Sequence, residues 1–183
     1  ALIVLAPAMV VTALAIKLES PGPVLFRQQR MGRANRLFEV LKFRSMYVDQ
    51  SDQRGDRSTA RGDRRITRVG RIIRATSIDE LPQLLNVIGG SMSLVGPRPH
   101  ALGSRAGDNL FWQIDRRYWL RHTIKPGLTG LAQVRGYRGS TDHEDDLVKR
   151  LECDMEYLSH WSLTNDIAIL ARTLFVLLHR NAY

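Results

Sequence analysis

The first stretch of the chain restricts its fold more than any other feature. Ala1 to Ile16 (ALIVLAPAMVVTALAI) holds no charge and no strongly polar residue. As a helix it would reach about 24 Å, short of the roughly 20 residues that a straight bilayer crossing needs. Pro7 lies inside it. A proline removes one helical hydrogen bond and bends the helix. A short apolar segment with an internal break predicts a re-entrant or interfacial element, with Pro7 as the membrane break. Two other readings compete. A signal peptide ending at Ala13-Leu14-Ala15 would need a basic leading region, and none is present. A buried core helix is the other. The segment opens in mid-element, so we expect further residues upstream of Ala1.

Charge placement sharpens this. The net charge is +9. Arg27 to Arg74 contains 14 Lys or Arg against 5 Asp or Glu, a difference of +9, while 12 of each sign cancel from Ala75 onward. The whole excess lies in one quarter of the chain. It implies a polyanionic partner: nucleic acid, acidic lipid headgroups or a phosphorylated substrate. A solvated basic face is the plainer alternative. Behind an apolar segment, such residues are held near anionic lipid on the cytoplasmic side. The one cysteine, Cys153, excludes an internal disulfide, and no Cys/His spacing suggests zinc. We read Cys153 as a buried structural thiol.

Ser20-Pro21-Gly22-Pro23 ends the apolar helix. Val24 to Gln28 and Leu37 to Phe43 are rich in β-formers, with a turn over Gly32 to Arg36, which predicts a hairpin. Asp49 to Asp63 lacks apolar periodicity and reads as a loop. Ile66, Val69, Ile72 and Ile73, interleaved with Arg65, Arg68 and Arg71, predict a short basic amphipathic helix. Leu81, Leu84, Leu85 and Ile88 predict another, ended by Gly89-Gly90. Its start is open between two registers: Ser77 as N-cap in a capping box with Glu80, or Asp79 as N-cap with Pro82 in the first turn. Either puts Asp79 at a helix N-terminus, where anions are favoured. Ser93 to Pro99 reads as a rigid loop presenting Arg98. Asp108 to His122 reads as helical, Lys125 to Gly130 as a turn, and Gln133 to Gly139 as a glycine-punctuated loop. Thr141 or Asp142 could cap a helix to about His160, and Leu163 to His179 is a final apolar helix. Glu144-Asp145-Asp146 is read as ordinary first-turn acids rather than a metal cluster.

No Gly-x-Gly-x-x-Gly, Walker loop or Gly-x-Ser-x-Gly occurs, so dinucleotide, P-loop and serine-hydrolase chemistries are disfavoured. By itself, the adjacent pair Asp79-Glu80 could merely cap a helix. Its neighbourhood is more specific. Ser77-Ile78-Asp79-Glu80-Leu81-Pro82-Gln83-Leu84 resembles the signature of the bacterial sugar transferases, the monotopic polyprenyl-phosphate phosphoglycosyl transferases. Four further blocks match in the family's order: Pro21 to Gln28, Lys42 to Met46, Ser91 to Pro99 and Lys125 to Val134. Arg98-Pro99-His100, Tyr137-Arg138-Gly139 and the Ala182-Tyr183 ending are most similar to the hexose branch.

The resemblance implies an α/β, mainly helical fold: a re-entrant membrane helix, a small β-hairpin and amphipathic interfacial helices. Residues 1–18 would form the membrane-embedded helix. Residues 19–183 would form a membrane-associated catalytic domain on the cytoplasmic face of the bacterial inner membrane. It implies transfer of hexose-1-phosphate from a UDP-sugar to undecaprenyl phosphate with release of UMP, opening exopolysaccharide or related glycan synthesis. Asp79 would be the nucleophile and a ligand of Mg²⁺, and Glu80 the proton acceptor. Two adjacent carboxylates resist joint ionisation, which would raise one pKa. Arg74, Arg98, Arg138 and Gln133 would bind phosphate or substrate, since a guanidinium fork matches phosphate oxygens. The chain departs from the family pattern at Arg135, where asparagine is usual, at Tyr137, where arginine is usual, and at Ala6, where serine commonly precedes the membrane proline.

Partners implied are the UDP-sugar, undecaprenyl phosphate and the bilayer, with no nucleic acid; no oligomeric state is implied. Two alternatives stand beside this: a non-catalytic basic module binding membrane or nucleic acid, and a silent family member that scaffolds glycan assembly. The first lacks any stacking-aromatic pattern or nucleic-acid motif. The second would not need Asp79, Glu80, Arg74 and Arg98.

Overall fold

The computed structural model describes residues 2–52, 62–137, 141 and 143–178. Helix α1 (Leu2–Glu19) runs continuously through Pro7. The expected break does not end the helix. Pro7 lies six residues in, just beyond the amides that are free in any helix, so one lost bond leaves the later turns closed. Lys17 and Glu19 extend the helix beyond Ile16, and by length and composition it could cross a membrane. Its outer residues are bare: Ile3 and Val4 are 89% and 81% exposed, while Thr12 and Ile16 are buried.

Two charged side chains fix the inner end of α1. Arg44, itself buried, donates to the carbonyls of Pro21 at 2.5 Å and Ser20 at 2.8 Å. It thereby satisfies carbonyls that follow the helix C-terminus, where a cation is also favoured by the dipole. The Glu19 carboxylate accepts the first amides of α2 (Arg68–Ala75), Arg68 N–H at 2.6 Å and Val69 N–H at 3.1 Å. Thr67 caps the same helix by accepting from Gly70 N–H at 2.9 Å. Gly70 is required there, since a Cβ would lie 2.1 Å from the Ser45 carbonyl oxygen. Ile16, Phe43 and Ile73 form the core of this corner.

The predicted hairpin is present. Strands β1 (Leu25–Met31) and β2 (Leu37–Phe43) pair antiparallel from Leu25↔Phe43 to Met31↔Leu37, three residues past the predicted end of the first strand. The predicted basic helix is α2, beginning at Arg68; Ile66 instead bridges to Met46.

The start of the next helix differs from both predicted registers. Ser77 takes a left-handed conformation (φ 59°) and caps nothing with its side chain. Ile78–Glu80 form a single 3₁₀ turn, and α3 begins only at Gln83 and ends at Ile88. Pro82 has no amide to donate, so the chain makes a tight turn before the α-helical ladder starts. Glu80 is turned toward cations rather than back to an N-cap. Asp79 therefore sits in a strained turn ahead of α3, not on a helix N-terminus. Gly90, at φ +77°, closes α3 as predicted.

Three predicted loops contain regular structure. Ser93–Val95 is strand β3. Two short strands, β4 (Arg105–Ala106) and β5 (Asn109–Leu110), pair antiparallel. They lead into α4 (Phe111–Ile114) and a 3₁₀ segment, Arg116–Thr123, in place of one helix over 108–122. Strand β6 (Gly127–Thr129) lies parallel to β3. Side chains are excluded at that crossing: a Cβ on Gly127 would lie 2.2 Å from the Gly96 nitrogen. Gln133 belongs to α5 (Leu131–Val134), not to a loop. Helix α6 (Glu144–Ser159) is preceded by His143, with Glu144, Asp145 and Asp146 in its first turn as predicted; Asp142 lies outside the described residues. Helix α7 (Leu163–Leu178) closes the described chain. Cys153 is buried among Val95, Leu131, Tyr157 and Ile169. The mainly helical α/β content agrees with the expected class.

Candidate active site

Four pieces of chain meet at Asp79 and Glu80. The first is the 3₁₀ turn that carries them. The second is β2, whose Lys42 Nζ lies 3.0 Å from Glu80 Oε1. Asn86 of α3 holds β2 in place: its amide donates to Glu39 O at 2.7 Å and its Oδ1 accepts Leu41 N–H at 3.0 Å. The third is the segment after β3, from which Arg98 pairs with Glu80 through both guanidinium nitrogens, Nη1 lying 3.2 Å from Oε2. The fourth is the last turn of α2, which carries Arg74.

The two carboxylates differ in setting. Burial alone would raise Glu80, but Arg98 and Lys42 together hold it well below the usual carboxylate range. Asp79 is 8% exposed, and among the described residues no hydrogen bond or ion pair reaches its carboxylate. Its pKa is raised, first by burial and also by the neighbouring Glu80; Lys42, Arg74 and Arg98 oppose the shift. Mutual repulsion thus acts in the expected direction, but desolvation is the larger cause. Burial pushes Lys42 below its ordinary value, with Glu80 opposing.

A second layer holds the Arg98 segment. Arg30 of β1 donates to Pro99 O at 2.8 Å and to Gln28 Oε1. Its pKa is lowered to about 10, by burial and then by Arg98. Arg121 of the 3₁₀ segment is fully buried. It donates to Arg98 O at 2.7 Å and lies 2.8 Å from the Asp154 carboxylate of α6. Its Nη1 also meets His100 Nδ1 at 2.5 Å. Burial, followed by Arg121, holds His100 well below its ordinary pKa, so the ring stays neutral.

Asp79, Glu80, Arg74 and Arg98 are therefore brought together. Gln133 is buried in the wall of an adjoining cavity, where its Nε2 donates weakly to Leu128 O at 3.3 Å. Arg138 lies outside the described residues. Pro7 is far along the chain in α1. Lys42, Arg30 and Arg121 were missed as site residues. Lys42 had a signal, because it opens one of the matching blocks; Arg30 and Arg121 lie outside those blocks and had none. Among the described residues no group of three or more His, Cys, Asp or Glu could hold a metal by itself. Mg²⁺ commonly uses one or two carboxylates together with substrate phosphates. The unpartnered Asp79 carboxylate fits that smaller donor set.

The family described as bacterial sugar transferase matches residues 1–180. The chain is 53% identical over 173 residues to the undecaprenyl-phosphate glucose phosphotransferase of Komagataeibacter xylinus, covering 94% of this chain and 32% of that protein. It is 49% identical over 173 residues to the exopolysaccharide production protein PSS of Rhizobium leguminosarum bv. phaseoli, covering 94% and 86%. It is 47% identical over 174 residues to the UDP-glucose:undecaprenyl-phosphate glucose-1-phosphate transferase of Escherichia coli K12, covering 95% and 37%. The chain thus spans about a third of two of these relatives and most of the other.

Proposed function

The chain belongs to the bacterial sugar transferase family, and from that premise we propose that it transfers hexose-1-phosphate from a UDP-sugar to undecaprenyl phosphate and releases UMP. This would be the first membrane step of exopolysaccharide or related glycan synthesis. The observation that carries the reading is Asp79: a buried carboxylate without a protein partner among the described residues, with Lys42, Arg74 and Arg98 biasing it toward its charged form.

In the first step an Asp79 oxygen attacks the sugar-bearing phosphorus. The bond from that phosphorus to the bridging oxygen breaks, and UMP leaves with that oxygen and its electron pair. An acyl-phosphate links Asp79 to the sugar phosphate. In the second step an oxygen of the lipid phosphate attacks the same phosphorus. The acyl-phosphate bond breaks, and the Asp79 carboxylate is restored beside a lipid diphosphate sugar. Arg98, Lys42 and Arg74 supply positive charge to the phosphates throughout. Mg²⁺ held by Asp79 and the substrate phosphates would neutralise part of the diphosphate charge.

Glu80 has two roles in this scheme. In the resting site it holds Lys42 and Arg98 beside Asp79. When those cations turn to substrate phosphates its basicity rises, and it accepts the proton of the incoming lipid phosphate. Helix α1 lies in the bilayer with its bare apolar surface facing lipid; for it to be re-entrant, with both ends on the cytoplasmic face, the helix that is continuous through Pro7 here has to bend at that proline in the membrane.

Repeated turnover, read as continued UMP release, should require undecaprenyl phosphate and Mg²⁺ across a panel of UDP-sugars, with at most one equivalent of UMP released per protein when the lipid is left out, and Asp79→Asn should abolish both. Full turnover in that variant would remove Asp79 as nucleophile. Salt-sensitive nucleic-acid binding with no UMP release from any UDP-sugar would favour the basic-module reading instead. A tag placed before Ala1 should be reachable from the cytoplasm; a tag on the far side would mean that α1 spans.

A further inference from the structure

Beside Glu80 lies a cavity of about 150 Å³. Leu81, Leu94, Leu128, Val134 and Leu170 form its walls, and Ser77 and Glu80 lie at its catalytic end. Two other polar side chains in the wall, Thr129 and Thr173, satisfy each other through a 2.8 Å hydroxyl contact. Most of the exposed lining is therefore apolar, the polar exceptions being Ser77 and Glu80 at one end and the buried Gln133.

Its other end joins a lipid-like surface. Leu163, Ile167, Leu170 and Leu174 recur at i, i+4, i+7 and i+11 along α7, so they form one helical stripe. Leu163, Ile167 and Leu174 are each more than half exposed, and Leu170 between them reaches into the cavity. Leu170 thus belongs both to the apolar α7 stripe and to the lining of a cavity that also touches Glu80, the ion-pair partner of Lys42 and Arg98.

That sequence of surfaces matches an amphiphile with a slender apolar tail and an anionic head. We infer that the cavity receives the first isoprene units of the acceptor lipid, led in along the α7 stripe, so that its phosphate arrives beside Glu80. This rests on the proposed transferase reading and adds a location for the acceptor chain. The cavity is well below the roughly 300–1,000 Å³ of sites that enclose larger ligands, which suits a chain better than a nucleotide sugar. The nucleoside is the competing occupant, because the buried Gln133 Oε1 has no donor among the described residues.

Leu128→Trp and Leu170→Trp fill the passage, and Leu170→Ala is the milder companion should either fail to fold. UMP release is measured against undecaprenyl phosphate and against UDP-sugar separately. The expected result is a rise of about tenfold or more in the acceptor KM, with the UDP-sugar KM held near wild type, as lost apolar contact with a few methylenes would give. Unchanged acceptor KM in all three variants overturns the inference. So does a rise in the UDP-sugar KM instead, which would give the cavity to the nucleotide. A second arm does not depend on turnover. A polyprenyl phosphate carrying a diazirine in its first isoprene units should label β6 or α7, with protection by undecaprenyl phosphate but not by phosphatidylglycerol. Equal protection by phosphatidylglycerol, or labelling elsewhere, also overturns it. Wild-type protein that is labelled as expected yet releases no UMP from any UDP-sugar would sink the transferase reading and leave the lipid site standing.

Discussion

Replacing Asp154 with alanine would leave the Arg121 guanidinium charged inside the protein without its carboxylate. The two side chains are 1% and 4% exposed and 2.8 Å apart. Removing one partner of such a pair costs about 3–5 kcal/mol, because the remaining charge stays desolvated. For a domain of this size each kcal/mol moves the melting temperature by roughly 2–4 °C. Asp154→Ala should therefore lower it by about 6–20 °C, read from tryptophan fluorescence of detergent-solubilised protein. The double variant Arg121→Met with Asp154→Leu removes both charges and should recover much of that loss, making the cycle strongly non-additive. It should not recover function. Arg121 also donates to the Arg98 carbonyl at 2.7 Å, so in the double variant the Arg98 segment loses a brace. The UDP-sugar KM should rise while the protein stays folded. A melting shift below about 2 °C in Asp154→Ala would refute the energetic reasoning. A stable double variant with wild-type KM would show that Arg121 does not position Arg98.

In the proposed mechanism Asp79 attacks only when ionised, and burial raises its pKa above the ordinary 3.8; kcat/KM should therefore fall with acid through a pKa above that value. Glu80→Gln removes a neighbouring negative charge and should shift this limb to lower pH, whereas a shift to higher pH would contradict the assigned electrostatics. The same raised pKa makes the folded state bind the Asp79 proton more tightly than the unfolded state. Stability therefore falls as pH rises from 3.8 through the raised value. Asp79→Asn escapes that penalty and should melt at or above the wild-type temperature at pH 7 while inactive, and a clear drop would refute it. Glu80 has the opposite sign. Its contribution is present above its unfolded pKa near 4.5 and is lost as pH falls through the depressed folded value. Melting curves of Glu80→Gln and wild type should converge in acid.

The site uses the same charges for folding and for chemistry. Glu80 neutralises Lys42 and Arg98 inside the protein, and in the proposed mechanism a substrate phosphate takes those cations over. Asp79 is left without that support, which costs stability and preserves a carboxylate free to react.

Local pattern alone determined much of the architecture. The apolar run of α1, the β-formers flanking Gly32 to Arg36, the helical spacing from Val69 to Ile72 and Ile73, and the long apolar run of α7 each specify an element through contacts a few residues apart. The five ordered blocks, the one holding Asp79 among them, identified the family. Tertiary structure decided the rest. Ser77 turns left-handed after α2, and Asp79 precedes α3 because the α-helical ladder starts only at Gln83, after a Pro82 that cannot donate. Lys42 meets Glu80 across 38 residues, Asn86 pins β2 across 45, and Arg121 grips the Arg98 carbonyl across 23. No periodicity encodes such pairs. They form because buried cations and backbone carbonyls must find partners once packing removes them from water, and which partner is within reach depends on how the elements have come together.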